Sequence, residues 1–296
     1  MRLITDHTTL TVPATSANLG PGFDTFGIAL ELRDRVMVRA VAGESRVTVR
    51  GEGAATVAAG EKHLVVRAIR LGLEYAGAPQ VGLDLVCHNL IPHARGLGSS
   101  AAAAVVGLAA ARALVSEPEA LSDDVILQLA TDMEGHPDNA APALFGGARL
   151  AWMQDGTARS VPLEVSPAIQ ILALVPPSSA STSTARAALP RTVSHGDAVF
   201  NLQRAALMVE ALRRPELLMA ATDDRLHQPY RRSVMGQSLE VLDSLRARGV
   251  PAVLSGAGPT VLAFGTPDET LTAALVRHGW QLLALPVARE GVRVVA

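Results

Sequence analysis

A glycine- and serine-rich stretch between a strand-like run and an alanine-rich run constrains the fold of this chain most. Residues 91–104 read Ile-Pro-His-Ala-Arg-Gly-Leu-Gly-Ser-Ser-Ala-Ala-Ala-Ala. Before this stretch, apolar side chains alternate at positions 83, 85 and 87, as in a half-buried strand. After it, residues 101–114 are rich in alanine, the strongest helix former. The sequence therefore predicts a strand, a tight loop and a helix in succession.

This succession is typical of an anion-binding site. Glycines let the backbone approach a phosphate closely, and the first N–H groups of the helix point at it with the positive end of the helix dipole. Ser99 and Ser100 stand where we expect the N-cap, and their hydroxyls can also reach a phosphate or Mg²⁺. A glycine turn followed by a capped core helix remains the alternative, because glycine-rich fragments often match by accident.

The loop is neither a Walker A sequence nor the dinucleotide-binding G-x-G-x-x-G pattern. Lys62 is the only lysine of the chain, so no lysine stands near the loop to neutralise a triphosphate. The helix dipole, arginine side chains and a metal ion would have to balance that charge.

Composition narrows the class of protein. The 296 residues, 49% hydrophobic and 18% charged, are enough for two domains or one large one. A net charge of −2 without a basic tract argues against a nucleic-acid partner. The N-terminus has no apolar signal core and no apolar stretch reaches membrane-spanning length, so we expect a soluble cytoplasmic protein without a membrane partner. The oligomeric state stays open, a homodimer included.

The order of patterned segments indicates a mixed α+β protein with a seam between about residues 150 and 168. The single cysteine, Cys87, lies in an apolar run and is expected in the core. Strand-like runs occur at residues 10–13, 27–41, 47–49, 83–90, 148–153, 169–175, 252–254, 260–264, 281–285 and 292–295, and helical patterns at 64–76, 101–114, 122–133, 199–213, 239–248 and 271–278.

Two loops carry polar side chains that suit a ligand. In residues 12–27 these are Asn18 and Asp24, for which simple turn-forming roles are the alternative. In residues 132–139, Glu134 falls in the last turn of a helix, where the dipole disfavours a carboxylate by ~0.3–1 kcal/mol. A bound cation would reverse that penalty, although surface glutamates also tolerate such positions. His136 is equally compatible with an ordinary loop histidine.

Two arginines lie in patterned segments further along. Arg186 belongs to residues 182–190 and Arg231 ends residues 224–231. Each fits a solvated surface position, the usual state of an isolated arginine. Two arginines converging on one carboxylate would supply bidentate recognition that lysine cannot match.

Taken together, these segments resemble the GHMP kinase superfamily, and within it the homoserine kinase family. The similar blocks are residues 13–24, 91–103, 134–142, 182–190, 226–231 and 255–260, in the order of that family and over nearly the whole chain. The glycine-serine loop is specific to the superfamily, whereas the first, third and fifth blocks point to homoserine kinases.

The resemblance implies transfer of the γ-phosphoryl group of ATP to the side-chain hydroxyl of L-homoserine, a step of threonine biosynthesis, with Mg²⁺ as the metal. It implies that Ser99 and Glu134 coordinate Mg²⁺ and that Thr182 lies near the γ-phosphate. The loop residues implied to hold the triphosphate are Pro92, His93, Ala94, Arg95, Gly96, Leu97, Gly98, Ser99, Ser100, Ala101 and Ala102.

For the substrate, the resemblance implies that Asn18 and Asp24 bind the ammonium group and that Arg186 and Arg231 bind the carboxylate. His136 and Asn139 would lie near the reacting hydroxyl, and Asn139, Thr182 and Arg186 would be the catalytic residues. Related kinases carry an aspartate where Asn139 stands. Because an asparagine is a poor proton acceptor and a loose phosphoryl-transfer transition state needs little prior deprotonation, no general base is assigned.

The implied fold is a two-domain α+β GHMP kinase fold. A ribosomal-protein-like N-terminal domain, residues 1–160, would bind ATP, and a ferredoxin-like C-terminal domain, residues 161–296, would complete the cleft. One departure is His63, which stands where relatives often carry asparagine near the adenine.

Two other functions remain open at this point. One is a kinase for another small alcohol such as mevalonate, which has a carboxylate but no amine for Asp24 to bind. The other is a non-catalytic nucleotide-binding module, which would have no reason to combine Glu134, His136 and Asn139 with two patterned arginines.

Overall fold

The computed structural model describes residues 1–295, which form two β-sheets with helices packed against them. The strands are β1 (His7–Ala17), β2 (Phe26–Val41), β3 (Arg46–Gly51), β4 (Gly82–Asn89), β5 (Ala148–Gln154), β6 (Thr157–Leu163), β7 (Ile171–Val175), β8 (Ala252–Leu254), β9 (Val261–Phe264), β10 (Gln281–Ala284) and β11 (Arg293–Val294). The helices are α1 (Leu64–Tyr75), α2 (Ser99–Leu114), α3 (Asp123–Glu134), α4 (Ala140–Phe145), α5 (Thr182–Ala187), α6 (His195–Ala211), α7 (Leu218–Ala221), α8 (Gly236–Ala247) and α9 (Glu269–Arg277).

The first sheet has seven strands, and the order β11-β1-β2-β4-β3 is extended by β5 on β2 and by β6 on β5. Strands β3 and β4 are parallel, and α1 forms the crossover between them. The alternation read from the sequence places Leu83, Leu85 and Cys87 in the core, as it does the apolar positions of β1 and β2. Helix α2 contacts α1, α3 and β1 and is buried over most of its length, which explains its alanine content.

The second sheet is antiparallel in the order β10-β7-β9-β8. Helices lie between β7 and β8 and between β9 and β10, so the chain runs β-α-β-β-α-β, the ferredoxin-like arrangement. One face packs against α8 and α9, and the other joins the main core together with α6 and α7. Strands β8 and β9 are therefore buried on both faces, and the expected two-part α+β fold is confirmed.

The C-terminal segment does not stay with the second sheet. Strand β11 pairs with β1, Leu30 bridges to Val287, and the Gly147 amide donates to the Ala288 carbonyl. The first sheet also extends through β6 to Leu163, while the second begins with β7 at Ile171. The C-terminal segment therefore extends the first sheet, and the division into residues 1–160 and 161–296 stays a prediction.

Within residues 1–295, no helix has the length and apolar composition needed to cross a membrane.

Candidate active site

A cavity of about 360 Å³ lies between the two halves of the molecule. It brings together most of the residues singled out from the sequence: Asn18, Asp24, Pro92, Ala94, Arg95, Gly96, Leu97, Gly98, Ser99, Ser100, Glu134, His136, Asn139, Thr182, Arg186 and Arg231. Three expected loop residues lie elsewhere, since His93 lines a neighbouring cavity and Ala101 and Ala102 are buried in α2.

The glycine loop forms one wall of the cavity, and its conformation depends on the absence of side chains. Gly96 and Gly98 have left-handed backbone, with φ of 76° and 69°. A Cβ on Gly96 would lie 2.2 Å from the carbonyl oxygen of Ser255, and one on Gly98 would lie 1.9 Å from the Thr15 hydroxyl. The loop thus packs tightly against both halves of the molecule.

Hydrogen bonds hold this loop in place. The Ser255 hydroxyl donates to the Gly96 carbonyl over 2.6 Å, and the Thr15 amide donates to the Leu97 carbonyl over 3.0 Å. The Arg95 guanidinium donates to three carbonyls, those of His93, Pro176 and Pro177. Arg95 therefore ties the loop to the end of β7, with its N–H groups engaged by protein carbonyls.

The start of α2 differs from the expected serine cap. Ser99 and Ser100 are the first two helical residues, and the N-cap is Gly98, which supplies no side-chain hydrogen bond. The expectation that a serine caps the helix is wrong because the left-handed residue Gly98 is itself the N-cap, so that Ser99 and Ser100 are the first and second helical residues. Their backbone and hydroxyls consequently line the cavity.

Glu134 faces the beginning of α2. The Ser100 hydroxyl donates to Glu134 Oε1 over 2.6 Å. Burial raises the pKa of Glu134, and the hydrogen bond from Ser100 only partly opposes that effect. A carboxylate that is desolvated at the end of a helix gains from a nearby cation. Carboxylate and hydroxyl oxygens are also the ligand types that Mg²⁺ prefers.

A second acidic group, Asp138, was not picked out from the sequence. It is almost fully buried, and its Oδ1 lies 2.5 Å from His136 Nδ1. Burial lowers the pKa of His136, but the hydrogen bond to Asp138 and the negative charges of Asp138 and Asp24 together outweigh this effect, and the net shift is upward. Ligand atoms of Asp24, His136 and Asp138 all lie within 4.8 Å of one another. The signal in the sequence was the position of Asp138 inside the block that already contained His136 and Asn139.

Asn139 is held by its neighbours. Its Oδ1 accepts a hydrogen bond from the Thr15 hydroxyl over 2.8 Å, and its Nδ2 lies 3.5 Å from Asp138 Oδ1. Asn139 precedes α4 and lines the cavity beside the glycine loop. Thr182, at the start of α5, lines the same cavity.

Opposite charges meet at one side of the cavity. Both Arg186 Nη atoms donate to the Asp24 carboxylate, over 2.6 and 3.0 Å, and this pair raises the pKa of Arg186. Arg231 is 1% exposed and donates to the Gly256 carbonyl over 2.7 Å. Burial lowers the pKa of Arg231 to about 10, and its buried Nε has no partner among residues 1–295. Both guanidinium groups lie near the ring of Phe23.

Asn18 shapes the loop that carries Asp24. Its Nδ2 donates to the Gly256 carbonyl over 2.9 Å, and its Oδ1 accepts the Asp24 amide over 3.0 Å. Both ends of this side-chain amide are therefore used within the protein. The structure connects the first half of the chain to the second through Asn18.

Comparisons with known proteins identify the family of this chain. The chain matches the GHMP kinases N terminal domain over residues 63–147 and the GHMP kinases C terminal family over residues 206–279. A homoserine kinase of Streptomyces coelicolor is 49% identical over 287 residues, 96% of this chain and 93% of the relative. A homoserine kinase of Rhodococcus opacus is 51% identical, with 96% of both chains covered. The crystal structure of a homoserine kinase from Cytophaga hutchinsonii superposes with a TM-score of 0.84 at 25% identity, covering 99% of this chain and 98% of that one.

The chain belongs to the homoserine kinase family of GHMP kinases.

In this GHMP kinase a second cavity, of about 310 Å³, adjoins the first at Ser99 and Ser100. Its walls are largely apolar, with Val65 and Val106 among them, and His63 and His93 face it. Burial lowers the pKa of both histidines. His63 is nearly buried, and its Nδ1 has no hydrogen-bond partner in the described part of the chain. An apolar slot with an unpaired ring nitrogen suits a flat heterocycle such as a nucleobase.

Proposed function

We propose that this kinase transfers the γ-phosphoryl group of ATP to the side-chain hydroxyl of L-homoserine and forms O-phospho-L-homoserine, the substrate of a later step of threonine biosynthesis. The observation that carries the proposal is the placement of Asp24 beside Arg186 and Arg231 next to the glycine loop. An anionic and two cationic groups at one site match the ammonium and carboxylate of an amino acid.

The site for ATP follows from the two adjoining cavities. The apolar cavity at His63 would take the base, and the glycine loop with the first turn of α2 would take the triphosphate. Free backbone N–H groups at the start of a 16-residue helix favour anions there. Among the expected loop residues, we retain Pro92, Ala94–Arg95, the two glycines with Leu97, and both serines as the triphosphate contacts.

Mg²⁺ fits the oxygen atoms at the start of α2. We propose that Glu134 and Ser99 hold the ion, with the Ser100 hydroxyl beside them as a hydrogen-bond donor to Glu134. When bound, Mg²⁺ would neutralise charge on the phosphates during transfer. The Glu134 carboxylate, which burial disfavours in its charged form, would then have a compensating cation.

The ion pair of Asp24 and Arg186 forms a binding site that suits a zwitterion. An entering amino acid would place its ammonium against Asp24 and its carboxylate against Arg186 and Arg231. One internal ion pair is thereby exchanged for two contacts with the substrate, and the unpaired Nε of Arg231 offers a further donor. Asn18 would act by fixing the Asp24 loop, since its amide is already engaged.

The reacting hydroxyl would lie near His136 and Asn139, with Thr182 on the side of the γ-phosphate. Asp138 holds the His136 ring through Nδ1. Asn139, Thr182 and Arg186 would act by positioning and by charge, because a loose phosphoryl-transfer transition state depends more on alignment of the reacting groups than on removal of the hydroxyl proton.

A coupled ADP-release assay with L-homoserine, L-serine and mevalonate tests the proposal. We expect a clear preference for L-homoserine, since mevalonate would leave Asp24 without a cation and L-serine has a shorter side chain. A clear preference for mevalonate, or release of ADP independent of any acceptor, would refute it. Glu134→Ala should abolish Mg²⁺-dependent turnover, and full turnover by this variant would refute the metal assignment.

The proposal includes a cytoplasmic location with a small-molecule substrate and neither nucleic acid nor membrane as partner. Sedimentation of the purified enzyme would decide whether it acts as a homodimer.

A further inference from the structure

The loop that carries Asp24 has an unusual backbone. Asn18, Leu19 and Gly20 are consecutive residues with positive φ, at 70°, 45° and 86°, and Asp24 adds a fourth at 55°. Left-handed backbone is unfavourable for residues other than glycine, above all for a bulky one such as Leu19. Such a conformation persists only where the surrounding structure holds it.

Two side chains from the second half of the chain hold two successive carbonyls of this loop. His227 Nε2 lies 2.6 Å from the Gly20 carbonyl oxygen, and Asn201 Nδ2 donates to the Pro21 carbonyl over 2.9 Å. Both side chains are buried, at 0% and 2% exposure. A carbonyl can only accept, so the ring proton of His227 is on Nε2. Burial lowers the pKa of His227, which keeps the ring neutral with that single proton.

Each of these side chains is itself fixed. Asn201 lies on α6, and its Oδ1 accepts the amide of Arg225 over 2.8 Å. The backbone amide of His227 donates to Asp224 Oδ2 over 3.1 Å, so the turn that carries the ring is tied down. Asn201 thus links the loop to α6, and His227 links it to the turn that precedes Arg231.

His227 also supports the loop through its ring. The rings of His227 and Phe23 have centroids 5.2 Å apart and planes tilted by 31°. The guanidinium carbons of Arg186 and Arg231 lie 5.2 and 5.8 Å from the centroid of the Phe23 ring. The backbone before Asp24 and the ring beside both arginines therefore depend on the same histidine.

We propose that His227 and Asn201 are positioning residues of the amino-acid site, which hold the Gly20 and Pro21 carbonyls so that Asp24 and Phe23 face the two arginines. This inference rests on the proposed function, because it assigns Asp24 to the substrate. Neither side chain lines the cavity itself, so each acts on the substrate through the loop.

The test is a set of near-isosteric variants measured with L-homoserine and with ATP as the varied substrate. His227→Phe keeps a ring against Phe23 but removes the donor to Gly20, whereas His227→Gln keeps a donor near the place of Nε2 and removes the ring. Asn201→Asp retains the acceptor for Arg225 and replaces the donor to Pro21 by an oxygen. Asp268→Ala, which removes the cap of α9 outside the cavity, is the control for lost stability alone.

We expect His227→Phe and Asn201→Asp to lower kcat/KM for L-homoserine roughly ten- to a hundredfold, as the loss of a buried hydrogen bond predicts. The KM for ATP should stay within about twofold, and His227→Gln should recover most of the loss. Asp268→Ala should lower the melting temperature and leave both KM values unchanged. If His227→Phe does not fold, Asn201→Asp with His227→Gln provides the same comparison.

Unchanged homoserine kinetics in folded His227→Phe and Asn201→Asp would overturn the positioning role. A parallel loss for both substrates, matched by Asp268→Ala, would overturn it as well, because it would show a general effect of stability. A wild-type enzyme without activity on L-homoserine would instead refute the proposed function, and these two failures are distinguished by the wild-type assay.

Discussion

The substitution Gly96→Ala tests whether the tight contact of the glycine loop with the second half of the chain is needed for activity. Gly96 has a φ of 76°, and a Cβ there would lie 2.2 Å from the Ser255 carbonyl oxygen. Because that neighbour is backbone, it cannot swing aside, and the loop must move on the order of 1 Å to reach an ordinary contact distance. A misplacement of about 1 Å at a reacting group can cost ~100-fold in rate.

Two effects add for the free energy of unfolding. A non-glycine residue with left-handed backbone costs roughly 1–2 kcal/mol. Displacing the Gly96 carbonyl weakens its hydrogen bond from the Ser255 hydroxyl, which contributes about 1 kcal/mol. We therefore expect Gly96→Ala to lose ~2–3 kcal/mol of stability together with ~100-fold in kcat/KM for ATP.

Gly77→Ala is the matched control. Gly77 has a φ of 61°, but a Cβ added there would meet no atom of residues 1–295 within 4 Å, and the residue follows α1 away from the cavity. This variant should lose only the roughly 1–2 kcal/mol of backbone strain and keep its kinetics. Denaturant unfolding and the coupled ADP assay measure both quantities. A Gly96→Ala enzyme with kcat/KM for ATP within about threefold of the wild type would refute the reasoning.

Three buried groups give further predictions. Burial raises the pKa of Asp34 to about 6, so the folded state binds the proton more tightly than the unfolded chain and the free energy of unfolding falls as pH rises from about 4 to about 6. Asp34→Asn should remove ~3 kcal/mol of this decline, measured by denaturant unfolding across that pH range. The same pH dependence in the wild type and in Asp34→Asn would contradict the prediction. Arg231→Ala should raise the KM for L-homoserine by the equivalent of ~1.5–3 kcal/mol while Arg232→Ala, at an exposed neighbour, leaves it unchanged; equal effects would argue against the carboxylate clamp. Cys87, whose pKa burial raises to about 12, should react with a thiol reagent at pH 8 only after denaturation, and rapid labelling of the native enzyme would show that it is accessible.

The local elements could be predicted because their signals are local. Alternation at residues 83, 85 and 87 and the alanine-rich run at 101–114 correspond to β4 and α2. The helical pattern at 122–133 corresponds to α3, at whose start the Ser122 hydroxyl accepts the Val125 amide. Periodicity and capping act within a few residues, so the chain reports them directly.

The exact partners in the site could not be predicted in the same way. One residue of difference at the start of α2 decides that Ser100, and not Ser99, contacts Glu134. Asp138 stood in the same block as His136 and Asn139, but only the structure shows that it is buried against His136. Side-chain direction on a helix turns by about 100° per residue, so a shift of one position changes which group faces a ligand.

The order of residues was enough to predict that a glycine loop joins β4 to α2. It also showed that the segments with the acidic, histidine and arginine residues follow the order found in GHMP kinases. The folded chain was needed to show that Arg186 pairs with Asp24, that His227 and Asn201 hold the loop of Gly20, and that β11 returns to β1. These contacts join residues up to hundreds of positions apart. They depend on how two sheets pack against each other, and no periodic pattern within a segment records that packing.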